Sequence, residues 1–393
     1  MQFFKDLSLS ALSAGFVAML VGVTSSVALV FQAALSFGAS AAQISSWMWA
    51  LGWGIGLCSA LPSLWLRKPV MVAWSTPGAA VLAAAGMSGG FSMAEAIGAF
   101  MVSAALIALF GFSGWFEKLM ARIPASIAAA LLAGVLARFG MQVFESAQMA
   151  LPLVLSMLLA YLVTRRLWAR YAVMMTLLVG IGCAALQGQM QWASVQWSLA
   201  LPVWTMPSFS WQACISLALP LFVVTMTSQN LPGVAVIRST GYALPISKLI
   251  GMTGVVTVLL APWGAFSINL SAITAAMCMG PEVDADKSKR YTAAVVCGAL
   301  YVLMGVFGAV VASVLAAFPQ ALVISIAGLA LLSAISGSLV LALQQEESRE
   351  PALITFLVTL SGVVLAGIGS AFWGVVAGGV ALFVQKYLPW RTK

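Results

Sequence analysis

Long apolar stretches, broken at short intervals by polar or charged clusters, run the full length of the chain. At about 20 residues per membrane crossing, they predict helices near 9–36, 41–64, 91–115, 123–143, 148–164, 171–187, 211–234, 246–261, 288–316, 319–342, 352–369 and 371–388. Two further apolar stretches, 69–87 and 262–280, carry prolines and polar residues that interrupt a continuous helix. Counting these as broken spans gives fourteen. The chain reads as an all-α membrane protein.

Composition supports lipid as the solvent. Apolar residues make up 62% of the chain and charged residues 7%, where a soluble domain carries about 25% charged residues. The net charge of +8 comes from small basic groups between apolar stretches, with no like-charged run long enough to hold a nucleic acid. With the N-terminus inside, the cytoplasmic connections carry Lys5, Arg67, Lys68, Lys118, Arg122, Arg165, Arg166, Arg170, Arg238, Lys248, Lys287, Lys289, Arg290, Arg349, Lys386, Arg391 and Lys393. Of the 18 basic residues, only Arg138 falls on the other side. That asymmetry orients the chain with both termini in the cytoplasm of a bacterial inner membrane. The opening MQFFKDLSLSALSAGFVAML lacks a basic n-region and reads as the approach to the first helix.

Catalytic chemistry finds little to work with. The chain has no histidine, its five cysteines are scattered in apolar segments, and no GxxxxGK[ST] motif is present. These absences point away from an enzyme, a metal site and any cofactor. The connection 187–208 is uncharged and holds three tryptophans, as suits an interfacial outer loop.

Seven spans before that loop and seven after it predict two repeats of inverted topology. Ile123-Pro124 with its following small residues resembles Phe318-Pro319, Pro69-VMVAWSTPGA resembles Pro262-WGAFSINLSA, and Thr24-Ser25-Ser26 resembles Thr227-Ser228-Gln229. Within the first broken span, Pro69 to Trp74 favours an extended run. Ser75-Thr76-Pro77-Gly78 then reads as a helix start, with a hydroxyl cap ahead of proline. In the second, Asn269 aligns with Thr76 as a capping residue. Both half-helices would then direct their N-termini at the membrane centre, a favourable arrangement for an anion. Non-helical backbone at that depth must line an enclosed cavity.

Three segments, KPVMVAWSTPGAA (68–80), TSQNLPGVAVIRSTGY (227–242) and PWGAFSINLSAITAA (262–276), resemble the benzoate/proton symporter (BenE-type) family. The likeness extends over essentially the whole chain. It implies a fold similar to the nucleobase–ascorbate (uracil permease-like) transporters, as 7+7 inverted repeats with strand plus half-helix in the third and tenth spans. It further implies a core domain from 1–120 and 211–317, a gate domain from 121–190 and 318–393, and a periplasmic connection at 191–210. A homodimer and elevator-type alternating access are implied in the same way.

One departure bears on substrate. Where nucleobase permeases carry glutamates on the eighth and tenth spans, this chain has Ser228-Gln229-Asn230 and Ile268-Asn269-Leu270. The lack of a carboxylate suits an anionic substrate, which a fixed glutamate would repel. Candidate substrate-binding residues are Ser25, Ser26, Ser75, Thr76, Gln229, Asn230, Ser267 and Asn269, with Trp74, Phe31 and Phe266 available to pack on an aromatic ring. The same hydroxyls could instead bond their own helices, and the amides could join neighbouring helices. Glu95 and Glu145 are the only acidic residues off the cytoplasmic side. Glu95 is the candidate for proton coupling, and Glu145 stands near enough to Arg138 for an outer ion pair. The expected function is inward, proton-coupled transport of benzoate or a related carboxylate. A nucleobase permease and an uncoupled anion channel are the alternatives.

Overall fold

The computed structural model describes residues 2–114, 124–168, 171–195, 197–281, 283–365 and 370–387. Lys118, Arg122, Arg170, Arg391 and Lys393, and the end of the expected helix 352–369, lie outside the described residues. After a short helical turn at Gln2–Asp6 come α1 (Leu9–Thr24), α2 (Val27–Ser36), α3 (Ala41–Leu66), β1 (Val72–Trp74), α4 (Thr76–Met87) and α5 (Met93–Phe112). The long α6 (Ala125–Leu167) and α7 (Ala172–Leu186) precede the tryptophan-rich connection. Beyond it lie α8 (Trp211–Arg238), α9 (Ile246–Leu260), β2 (Ile268–Leu270), α10 (Ile273–Met279), α11 (Tyr291–Val306), α12 (Gly308–Ala316), α13 (Gln320–Leu343), α14 (Arg349–Ser361) and α15 (Ser370–Tyr387).

The architecture is mostly helical, with one two-stranded sheet among the described residues. Seven described helices are long and apolar enough to cross a membrane, or eight if the bent pair α11–α12 counts as one. The expectation of fourteen differs for identifiable reasons. The expected helices 123–143 and 148–164 are two limbs that run together as α6, separated by non-helical backbone at Ala150 (φ −140°, ψ 51°) just before Pro152. Straight, its 43 residues would reach about 65 Å, twice a hydrocarbon core of about 30 Å, so its length demands the kink. Helices α4, α7 and most of α15 are apolar but short. In the other direction, the single expected helix 9–36 breaks at Ser25-Ser26 into α1 and α2.

Helix α3 packs against α11 at glycines. A Cβ on Gly52 would lie 2.5 Å from the Gly305 Cα, and one on Gly56 would lie 2.6 Å from the Gly298 oxygen. Small residues at four-residue spacing let the two backbones meet, as in membrane helix pairs generally. The closeness matters because α3 carries the hydroxyls that support the sheet.

Strands β1 and β2 pair antiparallel, with Val72 opposite Leu270, Ala73 opposite Asn269 and Trp74 opposite Ile268. Ser75 N–Ser267 O and Ser271 N–Met71 O, both 3.0 Å, extend the ladder at its ends. A two-stranded sheet has two free edges, and edges in a membrane interior need polar partners. On the β1 side, Ser63 Oγ accepts from Val70 N at 2.8 Å and Ser59 Oγ from Val72 N at 3.1 Å. On the β2 side, Thr257 Oγ1 accepts from Ile268 N at 3.2 Å and Asn230 Oδ1 from Leu270 N at 3.0 Å. Hydroxyls on α3 and α9 and one amide on α8 therefore satisfy the edge amides of the sheet.

Candidate functional site: the strand crossing

The first broken span follows the sequence reading closely. Ser75 ends β1 and caps α4, its Oγ accepting from Gly78 N at 2.9 Å, with Pro77 in the first turn. Thr76 is the first helical residue and is half-buried. Pro77 has no amide proton, and the Gly78 and Ala79 amides both bond to Ser75. The Thr76 amide is the donor of this turn that remains, among the described residues, without an acceptor.

The second broken span differs from the expectation. Asn269 is not a helix cap: it sits mid-strand, opposite Ala73. Ser271 takes the place after β2 that Ser75 takes after β1, and Thr274 N donates to its Oγ at 3.4 Å. The following half-helix, α10, has only seven residues. Of the two opposed helix N-termini expected, the structure provides one of full strength, that of α4.

Around the crossing the remaining candidates divide into tied and untied groups. Ser26 is buried and accepts the Trp74 indole N–H at 2.8 Å while donating to Gly22 O. This contact ties the break between α1 and α2 to β1. Ser25 bonds back to Gly22 O of its own helix. Trp74 is buried and meets Tyr301 edge-on, with ring centroids 6.0 Å apart. Asn230 is committed to the Leu270 amide, and Gln229 lies half-buried in the same π-helical turn, Met226–Asn230. Phe31 is a buried residue of α2. Phe266 packs with Trp47 and Phe100, at 5.8 Å and 5.9 Å, so its ring is held in an aromatic cluster.

Ser267 and Asn269 stand apart. Ser267 has φ +37°, one of two positive-φ non-glycine residues described, and a backbone held in that region is a strained one. Its carbonyl accepts from both Ser75 N (3.0 Å) and Asn269 Nδ2 (2.6 Å). Ser267 Oγ and Asn269 Oδ1 are themselves buried without partners, as are Thr225 Oγ1 and Thr274 Oγ1. Buried polar atoms are almost always bonded, so the unpaired Ser267 and Asn269 atoms beside strained backbone set this crossing apart.

Glu95 is not brought to this crossing. It forms a capping box at the start of α5, accepting from Ser92 N and Ser92 Oγ, each at 2.9 Å. Arg138 and Glu145 form no ion pair: Glu145 is exposed, and no hydrogen bond or salt bridge reaches Arg138 among the described residues. Sequence reasoning missed Ser59, Ser63 and Thr257. The i, i+4 spacing of the two serines in an otherwise apolar stretch was the available signal. A Trp74→Phe substitution removes the bond to Ser26 together with part of a buried ring and is expected to cost about 1–3 kcal/mol. Thermal unfolding in detergent should register a lowered midpoint, and an unchanged one would show that the Ser26–Trp74 tie is dispensable.

Comparison with known proteins fixes the family. The model of the family described as BenE, benzoate membrane transport protein, matches residues 5–384. The chain belongs to the BenE family. Its relatives include inner membrane protein YdcO of Escherichia coli (strain K12), 47% identical over 382 residues covering 97% of each chain. The benzoate membrane transport protein of Acinetobacter baylyi (strain ATCC 33305 / BD413 / ADP1) is 38% identical over 380 residues, 97% of this chain and 96% of the relative. Among solved structures, the transmembrane domain of the cyanobacterial bicarbonate transporter BicA matches with TM-score 0.59 and 14% identity, covering 94% of this chain and 97% of that one. SLC26A9 matches with TM-score 0.59 and 13% identity, covering 94% of this chain and 65% of that one. These likenesses concern the fold, and they lie with BicA and SLC26A9 where the sequence resemblance named uracil permease-like transporters. BenE proteins are membrane transporters and not enzymes. This BenE chain is accordingly a multi-pass protein of the bacterial inner membrane.

Proposed function

We propose that this BenE protein carries benzoate or a related aromatic or organic carboxylate inward together with protons, binding it at the β1–β2 crossing. The observation that carries the reading is the unpaired buried hydroxyl of Ser267 beside the free Thr76 amide. A carboxylate taken from water needs compensating donors. Hydroxyl and amide donors at the positive end of α4 supply them without a buried counter-charge. Trp74 and Phe266 are the aromatic residues of this reading nearest in sequence to the polar ones, adjoining Ser75 and Ser267.

The packing supports a core moving against a gate in an elevator-type alternating-access cycle. Helices α1, α3 and α11 pack together, as do α5 and α9, whereas α6 packs with α13, α14 and α7. That grouping follows the division into 1–120 with 211–317 and 121–190 with 318–393. The antiparallel strand pair and the like placement of Ser75 and Ser271 favour two inverted seven-span repeats.

The test is uptake of radiolabelled benzoate into proteoliposomes, with and without an inward proton gradient. Gradient-driven accumulation is the expected result. No uptake by active protein would overturn benzoate as the substrate, and uptake that never exceeds equilibrium would identify an uncoupled channel. Glu95→Gln locates the proton. Loss of gradient dependence would place coupling at Glu95, and intact coupling would remove Glu95 from the proton path.

A further inference from the structure

Arg138 is the one basic residue that the charge asymmetry leaves on the outer side, and its surroundings are not those of a solvated surface arginine. It is half-buried on α6 and shares a narrow cleft with Ala84 of α4, Ser88 just past its end, Ser216 of α8, Thr359 of α14 and Ser370 of α15. The cleft therefore lies between helices grouped above as core and helices grouped as gate. It also lies at the far end of α4 from the Ser75 cap, so one half-helix joins it to the crossing.

The guanidinium lies directly over Gly362, which ends α14 in the left-handed conformation (φ +69°). A Cβ added there would come 2.8 Å from Arg138 Nη1, so the missing side chain is what admits the arginine. Despite that closeness, no hydrogen bond or ion pair reaches the guanidinium among the described residues. Glu145, seven residues on and exposed, does not neutralise it. A second polar group in the cleft is also unmatched: Thr359 is only 2% exposed, and its Oγ1 has no partner. An unneutralised guanidinium with a buried hydroxyl beside it is a donor set for a planar oxyanion.

We propose that Arg138 is an outer capture site for the substrate carboxylate, drawing the anion into the core–gate cleft before it reaches the strand crossing. The inference rests on the benzoate reading above and deepens it. As it stands the cleft encloses about 20 Å³, room for roughly one water. The carboxylate therefore occupies it only once core and gate have parted, and Arg138 acts on entry from outside. A fixed cation at a cleft mouth raises the local anion concentration and the association rate, in a manner that salt screens. It does not alter the translocation step.

The experiment measures benzoate uptake kinetics in right-side-out and inverted vesicles at low and high ionic strength. The proteins compared are wild type, Arg138→Lys and Arg138→Gln. For wild type, the outer-face KM should rise with salt. Arg138→Gln should raise the outer-face KM about tenfold with Vmax unchanged and should flatten its salt dependence. Arg138→Lys, which keeps the charge, should recover most of the affinity, and inner-face KM should not change in either variant. A purely structural arginine would lower Vmax or yield from both faces alike, and that result overturns the proposal. So does a wild-type outer-face KM that is indifferent to salt, which needs no variant to fold. Absence of wild-type uptake would instead count against the benzoate reading.

Discussion

Asn269→Ala is expected to lower benzoate transport by roughly 10- to 100-fold while leaving a folded protein. The side chain does two things at the crossing. Its Nδ2 donates to the Ser267 carbonyl at 2.6 Å, and its Oδ1 is buried without a partner. The carbonyl keeps a second donor, Ser75 N at 3.0 Å, so the ladder survives the substitution. What is lost is the clamp on the strained residue whose hydroxyl faces the ligand. At about 1–3 kcal/mol for a buried polar contact, the loss converts to the fold-change given, since about 1.4 kcal/mol is a factor of ten. Asn269→Asp separates binding from packing, because it preserves shape but sets a carboxylate where an anion must sit. It should transport no better than the alanine variant. Paired uptake and thermal-unfolding measurements check both. An alanine variant with wild-type kinetics would remove Asn269 from the site.

The crossing illustrates what a membrane sequence discloses and what it conceals. Proline followed by valine, tryptophan and then Ser75-Thr76-Pro77 announces a strand and a helix start, because each residue type restricts the backbone locally. The structure has a strand at Val72–Trp74 and a capped helix from Thr76. The second copy lacks that local grammar. Its half-helix starts from Ala272 without a side-chain cap of its own, and the repeat spacing puts Asn269, a good capping type, opposite Thr76. The residue's true position is set by pairing with Ala73, and pairing over almost two hundred residues leaves no local trace. The Ser25-Ser26 break was hidden for a related reason: serines pass unnoticed in membrane helices by bonding their own backbone, as Ser25 does. Ser26 keeps that habit, donating to Gly22 O, and differs only in also accepting from Trp74, distant in sequence. Span counts by length and by sequence part where helices are short or kinked, since hydropathy registers apolar length and not the axis of the helix.

Gly264→Ala is expected to be the most damaging single substitution near the site, though it changes one methyl group outside it. Gly264 follows the short turn Ala261–Trp263 with φ +104°, a conformation that costs an L-residue roughly 1–2 kcal/mol. The added Cβ would also lie 1.8 Å from Trp47 Cδ1. Trp47 is only 2% exposed and holds Phe100 and Phe266 at 5.4 Å and 5.8 Å, so it has no open side toward which to retreat. Overpacking a closed core adds about 1–3 kcal/mol. The two costs together reach about 2–5 kcal/mol, a large part of a typical margin of 5–15 kcal/mol. Displacing Trp47 also pushes on Phe266, the residue immediately before strained Ser267, so substrate binding should fail even in molecules that remain folded. The expected result is a strongly lowered unfolding midpoint in detergent with no measurable uptake. Adding Trp47→Ala to Gly264→Ala relieves the clash but not the backbone cost, and so should recover part of the stability and none of the transport. A Gly264→Ala protein with the wild-type midpoint would show that the aromatic cluster yields to the added methyl.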